Sequence, residues 1–180
     1  LTGKTRIESD LIGAREIPAE ALYGVQTLRG IENFSISKFR LSEYPLFIKG
    51  LAITKMAAAM ANFELGLLTV EQKDAIIAAC GEIIDGKHHD QFPVDMIQGG
   101  AGTTTNMNAN EVIANRALEL MGHERGEYQY CSPNDHVNCS QSTNDAYPTA
   151  IHIGMYFKHL QLLPHLEELI ASFRKKGEEF

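Results

Sequence analysis

The sequence is poor in features that would each define a class of protein. Its three cysteines, Cys80, Cys131 and Cys139, lack the close paired spacing of a zinc site, which favours reduced thiols in a reducing compartment. There is no run of about 18 consecutive apolar residues and no basic N-terminal segment followed by an apolar core, so neither a membrane span nor a signal peptide is expected. We therefore expect a cytoplasmic protein that does not bind membranes.

Positive charge is also scarce. Sixteen lysines and arginines are dispersed among 23 acidic residues, and the formal net charge is −7. Nucleic-acid binding needs clustered basic residues, so we expect no nucleic-acid partner, although a local pocket can still bind a small anion. With 44% hydrophobic residues, the 180-residue chain has the composition of one or two globular units.

Apolar residues recur at helical spacing in several parts of the chain, which predicts a mainly α fold. One buried helix is expected over 43–67, with Phe47, Leu51, Thr54, Ala58, Ala61 and Leu65 on its inner face. A second begins at Thr69, capped reciprocally by Gln72, and ends at Gly86; a third covers 108–121 and ends at Gly122. Turn residues and alternation in the first forty positions indicate short extended segments, a tight turn and one short helix.

The last part of the sequence predicts one long helix. Leu162, Leu166, Leu169 and Phe173 form an apolar stripe that runs to the end of the chain, and the helix is expected to start near Pro148 and to kink or break at Pro164. Such a stripe has to be buried against a partner, which indicates a helical bundle and self-association. We expect an N-terminal domain over 1–140, the start of a central bundle domain over 141–180, and a chain cut at both ends.

Two polar segments lie directly before predicted helices. Residues 99–106 read Gly-Gly-Ala-Gly-Thr-Thr-Thr-Asn, and residues 140–145 read Ser-Gln-Ser-Thr-Asn-Asp. Helix N-termini leave backbone N–H groups free and carry partial positive charge, so both segments are suited to an anion. The second segment has more donors than an N-cap needs, which favours a shared ligand over a capped connector. The first lacks the Lys-Ser/Thr of a nucleotide-binding P-loop.

The histidines do not predict a metal site. His88 and His89 are adjacent and would point in different directions from a helix, so we interpret them as a solvent-facing helix end. His136 follows Asp135 and is interpreted as stabilising a turn, the alternative being a group that titrates near neutrality. The remaining histidines in the last helix lack the spacing of a helical zinc protease site.

Several longer motifs are more specific than either polar segment. They are Asp10-Leu11-Ile12-Gly13, Ile17-Pro18-Ala19-Glu20, Tyr23 to Thr27, Ile31 to Phe34, Asp90 to Asp95, Gln98 to Glu111, Glu127 to Tyr130, Ser132 to Asn138 and Gln141 to Thr149. Over essentially its whole length the chain resembles the N-terminal part of proteins of the aspartase/fumarase superfamily. Within that superfamily it is more similar to the aspartases, because fumarases typically have aspartate in place of His136 and serine in place of Thr143.

The resemblance implies a carbon–nitrogen lyase that reversibly eliminates ammonia from L-aspartate to give fumarate. It implies that Thr103, Ser142, Thr143 and Asn144 bind substrate, and that the catalytic serine lies on a loop beyond residue 180. This chain alone is therefore expected to contain no catalytic residue and to be inactive. The resemblance also implies a homotetramer with no required cofactor, with magnesium as a possible activator. A class II fumarate hydratase and a non-catalytic assembly domain are the alternatives.

Overall fold

A β-hairpin opens the part of the chain that the structure, a computed structural model, describes, which is residues 3–180. Strand β1 (Thr5–Asp10) pairs antiparallel with β2 (Gly13–Pro18), and Asp10 lies opposite Gly13. The Asp10 carboxylate accepts hydrogen bonds from the N–H groups of Ile12 and Gly13, which closes the turn. The predicted extended segments and tight turn are confirmed.

Five α-helices follow, and the mainly α fold class is confirmed. Their bounds are α1 (Val25–Asn33), α2 (Pro45–Glu64), α3 (Val70–Ile84), α4 (Thr103–Leu120) and α5 (Thr143–Glu179). Short 3-10 turns cover Leu41–Glu43 and His89–Gln91, and a single π-helical turn covers Pro133–Val137.

Helix α2 forms the centre of the core, between α3 and α5. Gly50 and Gly154 let α2 and α5 approach closely, because a side chain at Gly50 would meet the backbone carbonyl of Ala150 and one at Gly154 would lie 3.0 Å from the carbonyl of Leu46. By length and composition α2 is apolar enough to cross a membrane. Its packing here is that of a core helix.

The inner face of α2 was predicted wrongly at its C-terminal end. Ala61 and Leu65 are exposed, while Lys55 and Asn62 are buried. The helix is apolar almost all round, so apolar spacing alone does not select a face; contacts from α3 and α5 do.

The predicted start and end of α3 are confirmed. Thr69 Oγ1 accepts from the N–H of Gln72 at 3.2 Å, and Gln72 Oε1 accepts from the N–H of Thr69 at 3.1 Å. Gly86, with φ of +92°, follows the last turn. Gly122, with φ of +82°, likewise follows the end of α4. These signals are local, so the sequence alone carries them.

Helices α4 and α5 both begin earlier than the sequence predicted. Helix α4 starts at Thr103 rather than at Asn108, and Gly102, with a left-handed φ of +84°, directly precedes it. Helix α5 starts at Thr143, capped by Ser142, and contains Pro148 within its second turn.

The sequence predicted a kink or a break at Pro164; the break is absent, and the kink stays a prediction. Helix α5 is continuous over 37 residues. A proline removes one main-chain hydrogen bond, while the other turns keep theirs.

Helix α5 has two unlike parts. Ala146, Ala150 and Gly154 are buried against α2, whereas every residue from 158 to 180 is exposed, including the apolar stripe of the sequence analysis. The domain boundary near residue 140 stays a prediction, and the first domain's predicted start at residue 1 lies outside the described residues.

Candidate anion-binding site

The N-terminus of α4 is held by the side chain of Gln98. Its Oε1 accepts from the N–H of Thr105 at 3.0 Å, and its Nε2 donates to Thr105 Oγ1 and, at 3.3 Å, to the carbonyl of Asp95. Gly102 packs against the ring of Tyr147 on α5 so closely that a side chain there would collide with it. Within residues 3–180, the N–H groups of Thr103 and Thr104 have no acceptor.

The N-terminus of α5 also keeps donors free. Ser142 Oγ accepts from the N–H of Asn144 at 3.2 Å, and the Ser142 carbonyl accepts from Asp145 and Ala146. In the described part of the chain, the main-chain N–H of Thr143 and the side-chain amide of Asn144 make no hydrogen bond. The preceding Ser140 has φ of +57°, a strained conformation for a residue with a side chain.

Asn106 joins these two helix ends. Its Nδ2 donates to Thr143 Oγ1 at 3.2 Å and to Asn138 Oδ1 at 3.0 Å. Because Thr143 Oγ1 accepts this bond, its own hydrogen is free to donate elsewhere, and residues 3–180 offer it no acceptor. The Thr143 hydroxyl therefore has the geometry of a donor for a ligand.

A buried lysine lies beneath the α5 N-terminus. Lys55 is 0% exposed, and its Nζ donates to Asn138 Oδ1 at 2.9 Å and to Gln141 Oε1 at 3.0 Å. No carboxylate within residues 3–180 pairs with it. Burial lowers the pKa of Lys55 from 10.5 to about 7. Burial raises the pKa of Cys80 to about 12, so that thiol is protonated.

The structure brings together the residues that the sequence singled out. Thr103 is the first residue of α4, Ser142 is the N-cap of α5, and Thr143 and Asn144 form its first turn. Thr143 is half-buried, and the other three are exposed. Their role in substrate binding stays a prediction.

Sequence reasoning missed the residues beneath the site. Lys55 lies four positions after Leu51, inside an apolar run, and a charged residue at that spacing was the available signal. Asn106 is 1% exposed and fell within the loop segment of the sequence analysis. Its role in joining α4 to α5 depends on contacts between distant parts of the chain, which spacing does not encode.

The N-terminus of α1, by contrast, is occupied by the protein's own carboxylates. Glu111 accepts from the N–H groups of Gly24 and Gln26, both at 2.8 Å, and of Thr27 at 3.0 Å. Glu8 accepts from the N–H of Val25 at 3.1 Å. Burial raises the pKa of Glu111, and these N–H bonds oppose that rise. This helix end is closed to outside ligands.

Three of the histidines have polar partners. His88 and His89 are half-buried beyond the end of α3, so their interpretation as a solvent-facing helix end was wrong. His88 contacts the Glu82 carboxylate at 3.0 Å, and His89 contacts the carbonyl of Ile83 at 2.9 Å. His136 Nδ1 accepts from the N–H of Ser132 at 2.7 Å, so its predicted role in a turn is confirmed. Burial lowers the pKa of His136, in keeping with a neutral acceptor. Across residues 3–180, no group of three or more histidines, cysteines and acidic residues is placed to hold a metal ion.

The sequence is similar to a family of lyases and to several aspartate ammonia-lyases. Residues 13–180 match the family model described as lyase. Aspartate ammonia-lyase from Pseudomonas canavaninivorans is 59% identical over 175 residues, which are 97% of this chain and 37% of that protein. Aspartate ammonia-lyase from Escherichia coli K12 is 55% identical over 181 residues, which are 100% of this chain and 38% of that protein. The chain thus spans little more than a third of the length of these relatives.

Solved structures of similar proteins have the same fold as this chain. The fumarate lyase:delta crystallin structure from Brucella melitensis superposes with a TM-score of 0.95 at 53% identity, covering 99% of this chain and 41% of that one. A class II fumarase from Schistosoma mansoni gives a TM-score of 0.78 at 39% identity, covering 84% and 32%. The sequence match over residues 13–180 and the agreement in fold show that this chain belongs to the lyase family of the aspartase/fumarase superfamily.

Proposed function

We propose that the full-length protein is an aspartate ammonia-lyase, which reversibly converts L-aspartate to fumarate and ammonia. The observation that supports this most directly is the pair of adjacent helix N-termini, where donors at Thr103, Thr104 and Thr143 have no acceptor within residues 3–180. Such a site is suited to a carboxylate. Relatives that are 55% to 59% identical carry the same activity in their names.

In the proposed reaction these donors act on a carboxylate whose charge grows. A base removes a proton from the carbon next to the β-carboxylate, and the electron pair spreads into that carboxylate as an enediolate-like carbanion. The C–N bond then breaks, ammonia leaves, and the carbon–carbon double bond forms. Hydroxyl, amide and main-chain donors from Thr103, Ser142, Thr143 and Asn144 would stabilise the intermediate, each by about 3 kcal/mol when well aligned.

The base is expected outside this chain, on a serine loop beyond residue 180. The 180-residue piece alone should therefore show no lyase activity. Turnover of aspartate by the purified piece would contradict this.

The substrate is tested with full-length protein, L-aspartate and L-malate, followed by the ultraviolet absorbance of fumarate. We expect fumarate from aspartate and none from malate. Fumarate from malate alone would favour fumarate hydratase, and no turnover of either would favour a non-catalytic assembly domain.

The remaining expectations belong to the full-length protein. A homotetramer would bury the apolar stripe of α5, which is exposed here from Leu162 to Phe173; light scattering tests this.

The site consists of N–H and hydroxyl donors, which fit an anion rather than a cation, so we propose that the chemistry at this site requires no metal. Activity that survives EDTA, with at most a modest gain from magnesium, is the expected result. We also propose a cytoplasmic location, which fractionation of cells would test.

A further inference from the structure

We infer that Lys55 is a positioning residue, which holds residues 138–144 against α4 so that the N-terminus of α5 presents its donors to substrate. The kinetic part of this inference rests on the function proposed above. The structural part rests only on the contacts of the described residues.

Lys55 is placed where a lysine contributes little to stability. It lies in the core of α2 with 0% exposure, among residues such as Leu51 and Ala59. Burying its polar head has a free-energy cost that only hydrogen bonds offset. Both of its bonds go to side chains of one segment, the chain that leads into α5. Lys55 therefore acts on that segment.

The two bonds fix the orientation of two amides. Because Asn138 Oδ1 points at Lys55, its Nδ2 donates to the carbonyl of Gln141 at 3.0 Å. Because Gln141 Oε1 points at Lys55, its Nε2 donates to the carbonyls of Val137 at 2.9 Å and Cys139 at 3.1 Å. A single amine therefore determines where the main chain is held at three points around the strained Ser140.

The same network reaches the proposed substrate donors. Asn138 Oδ1 accepts from both Lys55 and Asn106, and Asn106 donates to Thr143 Oγ1. Lys55 is fully buried and acts on Thr143 only through these amides. Without it, Gln141 Oε1 loses its partner, and Asn138 Oδ1 keeps only its bond from Asn106, so both amides are held by fewer bonds.

The test uses full-length Lys55→Met, which keeps the length and apolar stem of the side chain and removes its donors. Hydrogen exchange followed by mass spectrometry should show residues 138–144 exchanging about tenfold or more faster, with α3 unchanged. With aspartate, KM should rise and kcat/KM should fall about tenfold to a hundredfold. The matched control is Lys49→Met on the same helix, where the lysine is half-buried over the ring of Phe157; it should change neither quantity.

Two results would overturn the inference. One is unchanged exchange over residues 138–144. The other is faster exchange in all helices alike with an unaltered KM, since that pattern means Lys55 only stabilises the fold. If Lys55→Met does not fold, Lys55→Gln keeps a neutral donor on a shorter side chain and should show the same local effect at smaller size.

The two proposals fail separately. Wild-type protein that does not act on aspartate would refute the proposed function, and the exchange experiment would still decide whether Lys55 positions the segment.

Discussion

Two regions of this molecule use helix N-termini in opposite ways. At α1, the carboxylate of Glu111 accepts from three N–H groups at the start of the helix, those of Gly24, Gln26 and Thr27. At α4 and α5, the N–H groups of Thr103 and Thr143 have no acceptor within residues 3–180. Beneath the first lies a buried acid, and beneath the second lies the buried amine of Lys55.

We interpret this difference as that between a structural anion at α1 and the proposed ligand site at α4 and α5. The same local physics attracts negative charge to both places. Where the chain supplies its own carboxylate, the donors stabilise the fold; where it supplies amides, hydroxyls and an amine, the donors stay available. The following substitutions test that distinction, from the largest expected effect to the smallest.

Glu111→Ala should destabilise the folded protein more than the other substitutions do. It leaves buried N–H groups without acceptors and opens a cavity, so we expect a loss of about 3–5 kcal/mol in the free energy of unfolding. Urea unfolding followed by circular dichroism measures this. Glu111→Gln, which keeps one acceptor and the side-chain shape, should lose about half as much. Equal stability of Glu111→Ala and wild type would remove the structural half of the comparison.

Thr143→Val should impair activity while sparing the fold. It removes a hydroxyl whose hydrogen has no acceptor within residues 3–180, and Asn106 keeps its bond to Asn138. We expect kcat/KM for aspartate to fall roughly a hundredfold, which corresponds to about 3 kcal/mol of lost transition-state stabilisation. The free energy of unfolding should change by less than about 1 kcal/mol. Thr149→Val, at an exposed position of the same helix, is the control. Normal activity in Thr143→Val would show that this hydroxyl is not a substrate donor.

Gly102→Ala should disturb the junction of α4 and α5. Its methyl group would collide with Tyr147, and the backbone is left-handed with φ of +84°. Together these should destabilise the protein by about 2 kcal/mol in thermal unfolding. Gly100→Ala is the control, because Gly100 has φ of +69° but open space around it, so only about 1 kcal/mol is expected. Equal losses would mean that contact with Tyr147 is unimportant.

The pH dependence of stability should carry the smallest effect, from Lys55. The pKa of Lys55 is about 7 in the folded protein and 10.5 without burial. Between these values the unfolded chain holds the proton and the folded one does not, so the free energy of unfolding should rise with pH. The gain should be about 1 kcal/mol per pH unit between pH 7 and 9, relative to Lys55→Met. Parallel pH profiles for the two proteins in urea would contradict it.

How far the sequence predicts this molecule depends on whether a feature is local. Neighbouring residues set the Thr69 cap, the Gly86 and Gly122 stops and the tight turn before Gly13, and all of these were predicted. The start of α4 was misplaced because three threonines and an asparagine resemble a loop in composition. Tertiary contacts, through Gln98 and Tyr147, are what make them helical.

The candidate site shows the same division. Its exposed donors followed from composition at two helix entrances and from family resemblance. The supporting residues did not, because Lys55 is 83 residues from Asn138 in sequence and no spacing links them. The filled α1 end was missed for the same reason, since Glu111 is 87 residues from Gly24.

The most direct test of the open and filled helix ends is a crystal structure of the full-length protein with succinate, an unreactive dicarboxylate. The account predicts a carboxylate within about 3 Å of main-chain N–H groups at the start of α4 or α5, near Thr103 and Thr143, with Glu111 still bound to the start of α1. Succinate bound elsewhere, with the N–H groups of Thr103 and Thr143 taken by other protein atoms, would contradict it.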